Sequence, residues 1–372
     1  MKVALIQDWL TEIGGAEKVF ECFLELYPEA DIYTVTSHDR VIDELNINKN
    51  KLHESFVAKL PLGRKKYRNY LPLFPKAVES FDFSGYDLII SSSSSVAKGI
   101  ITNSKQLHIC YCHSPARYAW DLYHQYLNEA RLVGFGIKKW FVRHTLYRLR
   151  IWDVISANRV DYFIANSNYI KKRINKVYRR EADVIYPPVD THRFDLCEDK
   201  DEYYYTASRL VPYKKIDLIV KAFSKMPNKR LIVAGTGPDY SKIKALAGPN
   251  VEMKGFVTND EMLELMQKAK AFVFAADEDF GIIPVEAQAC GTPVIALGRG
   301  GTKETVIDGQ TGVHFNVQTV ESLMEAIDRF DDMNFDAKVV RVNAEKFSKQ
   351  RFNKELQEYI NEKYTEFNLN QS

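Results

Sequence analysis

Short apolar runs alternate with amphipathic stretches along most of the chain. KVALIQ (2–7) reads as a buried strand, Gly14-Gly15 as a turn, and AEKVFECFLELY (16–27) as a helix with one apolar face. ADIYTVT (30–36), DLIISSSS (87–94), QLHICYCH (106–113) and DYFIANS (161–167) are further strands, with helical segments between several of them. Such βα alternation predicts a parallel sheet covered on both faces. Pro187-Pro188 and the charged LCEDKDE break the rhythm, so 187–202 reads as a linker. The pattern then restarts. YYYTASRL, KRLIVAGTGP, VEMKGFV, AFVFAA and PVIAL supply strands, and KIDLIVKAFSKM, DYSKIKALA, NDEMLELMQKA and PVEAQAC supply the helices between them. VESLMEAIDRF and the last stretch, from Asp336 onward, are terminal helices. Two Rossmann-like α/β domains follow, 1–190 and 191–351, with the helix 352–372 expected to pack back on the first. In such an arrangement ligands bind beyond the carboxyl ends of the strands.

A chain of 372 residues suits two cores rather than one. Its longest apolar runs fall short of the roughly 20 residues that span a bilayer. The opening MKVALIQDWL is apolar only until Asp8 and Glu12, which fits a first strand and not a signal peptide. Five cysteines give no even framework, and a reducing cytoplasm is the simplest setting. CYCH (110–113) lacks the two-residue spacer of a haem motif and a second pair at zinc spacing, so no metal is expected there.

Net charge is +2, yet residues 1–190 carry 27 Lys and Arg against 21 Asp and Glu, leaving 24 against 28 for the rest. The excess concentrates in Lys59–Ser80 and Arg131–Arg150, where Lys and Arg interleave with Trp, Phe, Leu and Tyr. At helical spacing, Lys138, Lys139, Arg143 and Arg150 would ride above Phe135, Trp140 and Tyr147, a pattern suited to an anionic membrane surface. A solvated basic face on a core-facing helix would read the same way. No nucleic-acid-binding motif accompanies these charges.

The chemistry-bearing residues cluster after strands. Gly14-Gly15 let backbone amides approach an anion at a helix start, although an ordinary tight turn looks alike. Arg209 ends a strand and Lys214 opens the next helix, an arrangement that suits phosphate oxygens. AGTGP (234–238), with Gly235, again permits close backbone approach. In AADEDFGIIPVEAQ (275–288), Pro284 is well placed as a first helical residue. That puts Glu286 in the first turn, where it either accepts hydroxyl hydrogen bonds or complements the helix dipole. Asp277, Glu278 and Asp279 lie in the loop, and a metal cluster is the less favoured reading of them.

Together, Arg209 with Lys214, Glu278-x7-Glu286, EDFGIIPVEAQACGTPVIA and GRGGTKETVIDGQTG resemble the retaining family 4 glycosyltransferases of GT-B fold. The likeness covers nearly the whole chain and is strongest over 203–315. IQDWLTEIGGAEKV and CYCHSPARYAWDLYHQYL further resemble bacterial O-antigen and polysaccharide mannosyltransferases. The resemblance implies two doubly wound domains facing across a cleft. It implies a nucleotide-sugar donor, GDP-mannose, as substrate, with no cofactor and no metal. Arg209 and Lys214 match the diphosphate clamp, Gly14 and Gly15 the N-domain glycines, and Glu286 the ribose-holding carboxylate. Glu278 matches the carboxylate set against the donor sugar. Phe280, Gly281 and Ile282 match the loop whose amides meet sugar and phosphate, and His113 matches the active-site histidine. Lys215 stands where the family often has Gly, and Ser208 replaces the usual Gly before Arg209. The implied partners are a lipid-linked sugar acceptor and an anionic membrane, at the inner face of a bacterial cytoplasmic membrane, in cell-surface glycan synthesis. Two other classes share these residues: a GT-B-fold sugar-nucleotide epimerase, and a non-catalytic nucleotide-sugar-binding partner of a glycan assembly complex.

Overall fold

The computed structural model describes residues 1–129 and 136–371. The chain divides into two compact units, one formed by Met1–Pro187 and the chain from Phe352 onward, the other by Pro188–Arg351.

The first unit is built on β1 (Val3–Gln7), β2 (Asp31–Thr34), β3 (Leu52–Glu54), β4 (Leu88–Ser93), β5 (Leu107–Cys112), β6 (Tyr162–Ala165) and β7 (Asp183–Val184). They pair in the order β3-β2-β1-β4-β5-β6-β7, every pairing parallel. Because side chains alternate across a strand, Val3 and Leu5 join one core while Ala4 and Ile6 join the other. Both faces are therefore buried, which is why the strands read as unbroken apolar runs. The Lys349–Leu369 helix contributes Phe352, Leu356 and Ile360 to the Val3–Leu5 side.

The second unit holds β8 (Tyr203–Ala207), β9 (Arg230–Ala234), β10 (Val251–Gly255), β11 (Ala271–Phe274), β12 (Val294–Leu297) and β13 (Gly312–Phe315). Their order is β10-β9-β8-β11-β12-β13, again all parallel. Each sheet thus reverses direction once, between β1 and β4 in the first and between β8 and β11 in the second. Loops leaving neighbouring strands at such a point turn to opposite faces and leave a crevice beyond the strand ends.

Candidate functional site

In the second unit, Arg209 follows β8 and Asp277–Gly281 follow β11, so both lie at the point of reversal. The Arg209 loop is fixed from behind by the turn after β9. Ser208 N–H donates to Ala234 O at 3.1 Å, Leu210 N–H to Thr236 O at 2.8 Å, and Asp239 N–H to Leu210 O at 3.1 Å. Gly235 adopts φ +126°, and a Cβ there would stand 1.8 Å from the Ser208 carbonyl oxygen. The close approach expected of this glycine is thus made to the arginine loop. Arg209 itself is exposed.

Lys214 lies in a single 3-10 turn, Pro212–Lys214, and the helix begins only at Ile216, two residues later than the sequence suggests. Lys215, with φ +56°, makes the left-handed step between the two. The Lys214 ammonium pairs with the Glu278 carboxylate, their side chains only 18% and 19% exposed. The structure therefore brings together the cation of one loop and the acid of the other. Asp277 is also paired, with Arg299 at 3.2 Å. Among the described residues, no three His, Cys, Asp or Glu side chains converge as a metal site.

The Asp277–Gly281 loop is backed by the glycines after β12. Gly301 N–H donates to Glu278 O at 2.8 Å. A Cβ on Gly300 would lie 2.4 Å from Glu278 O, and one on Gly301 2.2 Å from Phe280 Cα. Phe280 is buried and packs edge-on against Phe347, ring centroids 5.5 Å apart. Gly281 (φ +85°) caps the Ile282–Ala289 helix. Because the helix starts at Ile282, Pro284 is its third residue and Glu286 its fifth. Glu286 is therefore in the second turn, a correction to its expected place, and it is buried. Simple complementation of the helix dipole falls off beyond the first turn, so that explanation of Glu286 weakens. The same helix is pinned by a buried amide network. Gln288 Nε2 donates to Pro284 O and Thr305 O, and Asn343 Nδ2 donates to Gln288 Oε1 and Thr305 O, at 2.8–3.2 Å.

In the first unit, Gly14 precedes the Gly15–Leu26 helix, and its N–H donates to Glu17 Oε2 at 2.9 Å. Gln7 Nε2 holds the other Glu17 oxygen at 3.1 Å. Burial raises the Glu17 carboxyl above its usual range. An anion at this helix start would meet a turn whose Gly14 amide already has an acceptor. Glu17 supplies one half of a capping box, the other half being impossible for a glycine.

Asp8, just after β1, is the organiser that sequence reading missed. Its Oδ2 accepts from Ser94 N–H (2.6 Å) and Oγ–H (2.9 Å), and its Oδ1 accepts from the Val96 and Ala97 amides (2.7 Å each). One carboxylate thus ties the two loops at the β1/β4 reversal. Burial raises its pKa and these hydrogen bonds oppose the rise.

His113 follows β5 and is half-buried. Its Nε2 lies 2.8 Å from Ser92 Oγ, and Asn166 donates to its carbonyl at 3.1 Å. Desolvation lowers its pKa to about 4, so the imidazole is neutral near pH 7. It can hydrogen-bond a hydroxyl there without adding charge. His108, fully buried, stands 2.8 Å from Ser91 Oγ, and its pKa is lowered to about 3 by burial. Cys110 and Cys112 are buried, and burial pushes the Cys110 thiol up to about 12.

The depressed histidines have a sign-determined consequence for stability. A histidine that resists protonation when folded favours the native state above the ordinary pKa of about 6.5. It withdraws that support as pH falls below it, by about 1.4 kcal/mol per pH unit per group. Urea denaturation is expected to show wild-type stability falling between pH 6.5 and 4. His108→Gln should lower stability at pH 7 yet reduce this slope. An unchanged slope would mean that His108 is not the buried neutral group described.

Comparison with known proteins bears on the chain as a whole. Residues 13–193 match the family model described as Glycosyltransferase Family 4, and residues 189–347 match Glycosyl transferases group 1. The structure of Anabaena HepE in complex with UDP superposes with a TM-score of 0.71 at 19% identity, covering 97% of this chain and 100% of that one. Two glycosyltransferase family models thus match successive stretches of the chain, and the solved structure shares its fold. A second structural neighbour is the apo form of a lipopolysaccharide outer core galactosyltransferase (TM-score 0.69, 16% identity, 98% and 100% covered). An uncharacterized glycosyltransferase of Methanocaldococcus jannaschii is 30% identical over 198 residues, 51% of this chain and 55% of that protein. An alpha-1,3/1,6-mannosyltransferase of Dictyostelium discoideum is 26% identical over 331 residues, 73% and 72% of the two chains. The chain spans about half the length of the first curated relatives it matches. No helix among its described residues is long and apolar enough to cross a membrane.

Proposed function

We propose that the protein transfers a hexosyl group, with retention of anomeric configuration, from a nucleotide sugar to a lipid-linked or polysaccharide acceptor. The observation that carries this reading is the Lys214–Glu278 pair, which joins the loop that carries Arg209 to the loop before the helix of buried Glu286, both glycine-backed and at the β8/β11 reversal.

A nucleoside diphosphate leaves as a multiply charged anion. In this reading Lys214 exchanges Glu278 for a phosphate oxygen. The carboxylate has until then kept the half-buried ammonium compensated and in position. Arg209 supplies a planar fork for a second phosphate oxygen, and the amides of Gly281 and Ile282 add the positive end of a helix. These charges lie where negative charge develops, which is where they lower the barrier. The bond from the anomeric carbon to the phosphate oxygen breaks with its electrons on that oxygen. The acceptor oxygen bonds to the same face of the carbon, and its proton passes to the departing phosphate. Glu278, released from Lys214, faces the sugar, while Glu286 accepts from the ribose diol. In the first unit, His113 can hydrogen-bond a sugar hydroxyl as the neutral imidazole, and in the second, Gly235 keeps the Arg209 loop in place.

Mannose from GDP-mannose is the donor we favour. The resemblance of IQDWLTEIGGAEKV and CYCHSPARYAWDLYHQYL to mannosyltransferases supports it, as do the mannosyltransferases of Dictyostelium discoideum and Neurospora crassa among the relatives. A UDP-sugar is the second reading, favoured by the likeness to HepE, whose structures hold UDP and UDP-glucose. Exposed apolar and basic residues on the Ile137–Ala157 helix support attachment at a membrane surface.

The test is incubation with labelled GDP-mannose, UDP-glucose and UDP-N-acetylglucosamine, membrane lipid extract and EDTA. Label entering lipid from GDP-mannose is the expected result, and label entering only from a UDP-sugar selects the second reading. Interconversion of donor with no acceptor would sink transfer in favour of epimerisation. Glu286→Ala should weaken donor binding about 10- to 100-fold, the worth of hydrogen bonds to a charged group. Titration calorimetry measures this, and an unchanged affinity removes Glu286 from the ribose.

A further inference from the structure

Within the first unit, one stretch of chain lines two cavities of opposite character. Its start, Lys65–Asn69, lines a polar cavity of about 420 Å³ together with Thr11, Glu12 and His38. Lys65, Lys66 and Arg68 are exposed, and none of them pairs with a carboxylate among the described residues. His38 is held by the Arg64 carbonyl at 2.9 Å, and Arg68 lies against Tyr67. Thr11 and Glu12 belong to the loop that runs from β1 to Gly14, so this cavity opens beside the candidate site's own loop.

The end of the same stretch, Leu71, Pro72 and Pro75, forms one wall of an apolar groove of about 510 Å³. The Ile137–Ala157 helix forms the other wall, presenting Phe141, Ile151 and Ile155 at i, i+10 and i+14. These three are 52%, 42% and 54% exposed, unusual for large apolar side chains on one helix face. The helix buries Leu146 and Asp153 on another side, with Leu149 at the floor of the groove, and Asp153 anchors it through a buried ion pair with Lys98 and a 2.7 Å hydrogen bond from Trp120. The exposed stripe is therefore not a misplaced core face. Arg148 lies on the groove wall, and Lys138 stands exposed on the same helix. Arg150 departs from its expected place above the aromatic face, since it tucks against Ala119 O and the Tyr123 ring. Arg131 and Phe135 lie outside the described residues.

The two cavities are neighbours. Tyr67–Leu73 is a 3-10 stretch, at about 2 Å per residue, so Arg68 and Leu71 are roughly 6 Å apart along it. The stretch is anchored by Tyr67, which stacks on Phe74, both of them packing against Trp9. A basic cavity about one 3-10 turn along the chain from an apolar groove is complementary to a molecule with an anionic head and a hydrocarbon tail.

We propose that the Lys65–Pro75 stretch and the Ile137–Ala157 helix form a cradle for one long-chain lipid phosphate. Its phosphate lies among Lys65, Lys66 and Arg68, and its chain lies between Pro72 and Ile151. The proposal rests on the transferase reading to the extent that this lipid is the acceptor's carrier. It places the head beside Thr11 and Glu12 and leaves the chain free to extend toward a membrane.

The probe is dodecyl phosphate below its micelle concentration, followed by the fluorescence of Trp152, which lines the groove. The full-length protein should bind it at least about 10-fold more tightly than inorganic phosphate or dodecanol. Ile151→Asp, at an exposed position, should abolish that advantage. Lys65→Glu with Lys66→Glu should weaken binding about 10-fold or more and flatten its salt dependence. Thermal melts check that each variant folds, and Ile155→Ser is a milder second groove variant. Equal affinity for dodecyl phosphate and inorganic phosphate would overturn the cradle, as would binding untouched by either set of changes. Attachment only to vesicles of anionic phospholipid, with no saturable dodecyl phosphate site, would reduce the surface to a membrane patch and overturn it too. Sugar transfer from the labelled donors, measured alongside, separates the two readings. Saturable dodecyl phosphate binding with no transfer from any donor would defeat the transferase and leave the cradle standing.

Discussion

Lys214→Met is expected to lower kcat/KM for sugar transfer by about 10²- to 10³-fold, the range found when one charge-stabilising donor is removed from an active site. Most of the loss should fall on kcat, since the cation matters where the leaving phosphate gains charge and less where the donor first binds. Stability should change little. Glu278 loses its partner, but at 19% exposure it can be rehydrated by a small movement of its side chain. Glu278→Gln separates the two roles. It frees the lysine for phosphate while removing the sugar-facing charge, so donor affinity should hold or improve as turnover falls. A Lys214→Met enzyme with normal single-turnover rate would remove the lysine from the leaving group altogether.

Gly301→Ala is expected to lose about 10²-fold or more in kcat/KM and about 2–4 kcal/mol of stability. The added Cβ would lie 2.2 Å from Phe280 Cα, 2.3 Å from its carbonyl oxygen and 2.5 Å from its carbonyl carbon. All three are backbone atoms, so no rotamer change relieves the clash. Phe280 cannot retreat without giving up its packing on Phe347, and Glu278, two residues before it, is held by the Gly301 amide. The loop must move, and the pair with Lys214 moves with it. Gly85→Ala is the control, because its Cβ would meet nothing nearer than Lys2 Nζ at 3.8 Å. Urea denaturation and steady-state kinetics on both variants test the claim. A Gly301→Ala enzyme with wild-type kinetics would show that the loop position is not critical.

Much of this framework was legible because burial on both faces writes strands as apolar runs. β1, β2, β4, β5 and β6 were visible in that way, as were β8 to β12. β3, β7 and β13 were not. LHE and DV are too short and too polar to stand out, and they sit at or beside an edge where neighbours, not composition, make a strand. GVHF, the edge strand of the second sheet, follows a glycine-rich turn that masks it. The Glu278–Glu286 spacing was readable, but the helix start was not. Proline suits any position whose N–H has no partner within the helix, so Pro284 marked the first turn without fixing its first residue. Residues that act through distant partners left no local trace. Asp8 meets a loop 86 residues on, Lys98 meets Asp153 across 55 residues, and Gly301 meets Phe280 across a strand and a helix. The Arg209 and Lys214 loops were found because the motif lists them in order. Why they stay in place emerged only from Gly235 beneath Ser208.

The Lys349–Leu369 helix gives this chain a peculiar order of assembly. Residues 188–351 form a contiguous unit that has everything it needs once Arg351 has left the ribosome. The first unit starts nearly two hundred residues earlier, yet Phe352, Leu356 and Ile360 belong to the same core as Val3 and Leu5. Until they arrive, that core is open on one side and its apolar wall is unpaired. Folding from the amino end forward, the usual course of multidomain synthesis, is therefore expected to be inverted here. The half that begins the chain is the last to close, and a nascent protein halted before Phe352 would carry a finished second unit on an unfinished first.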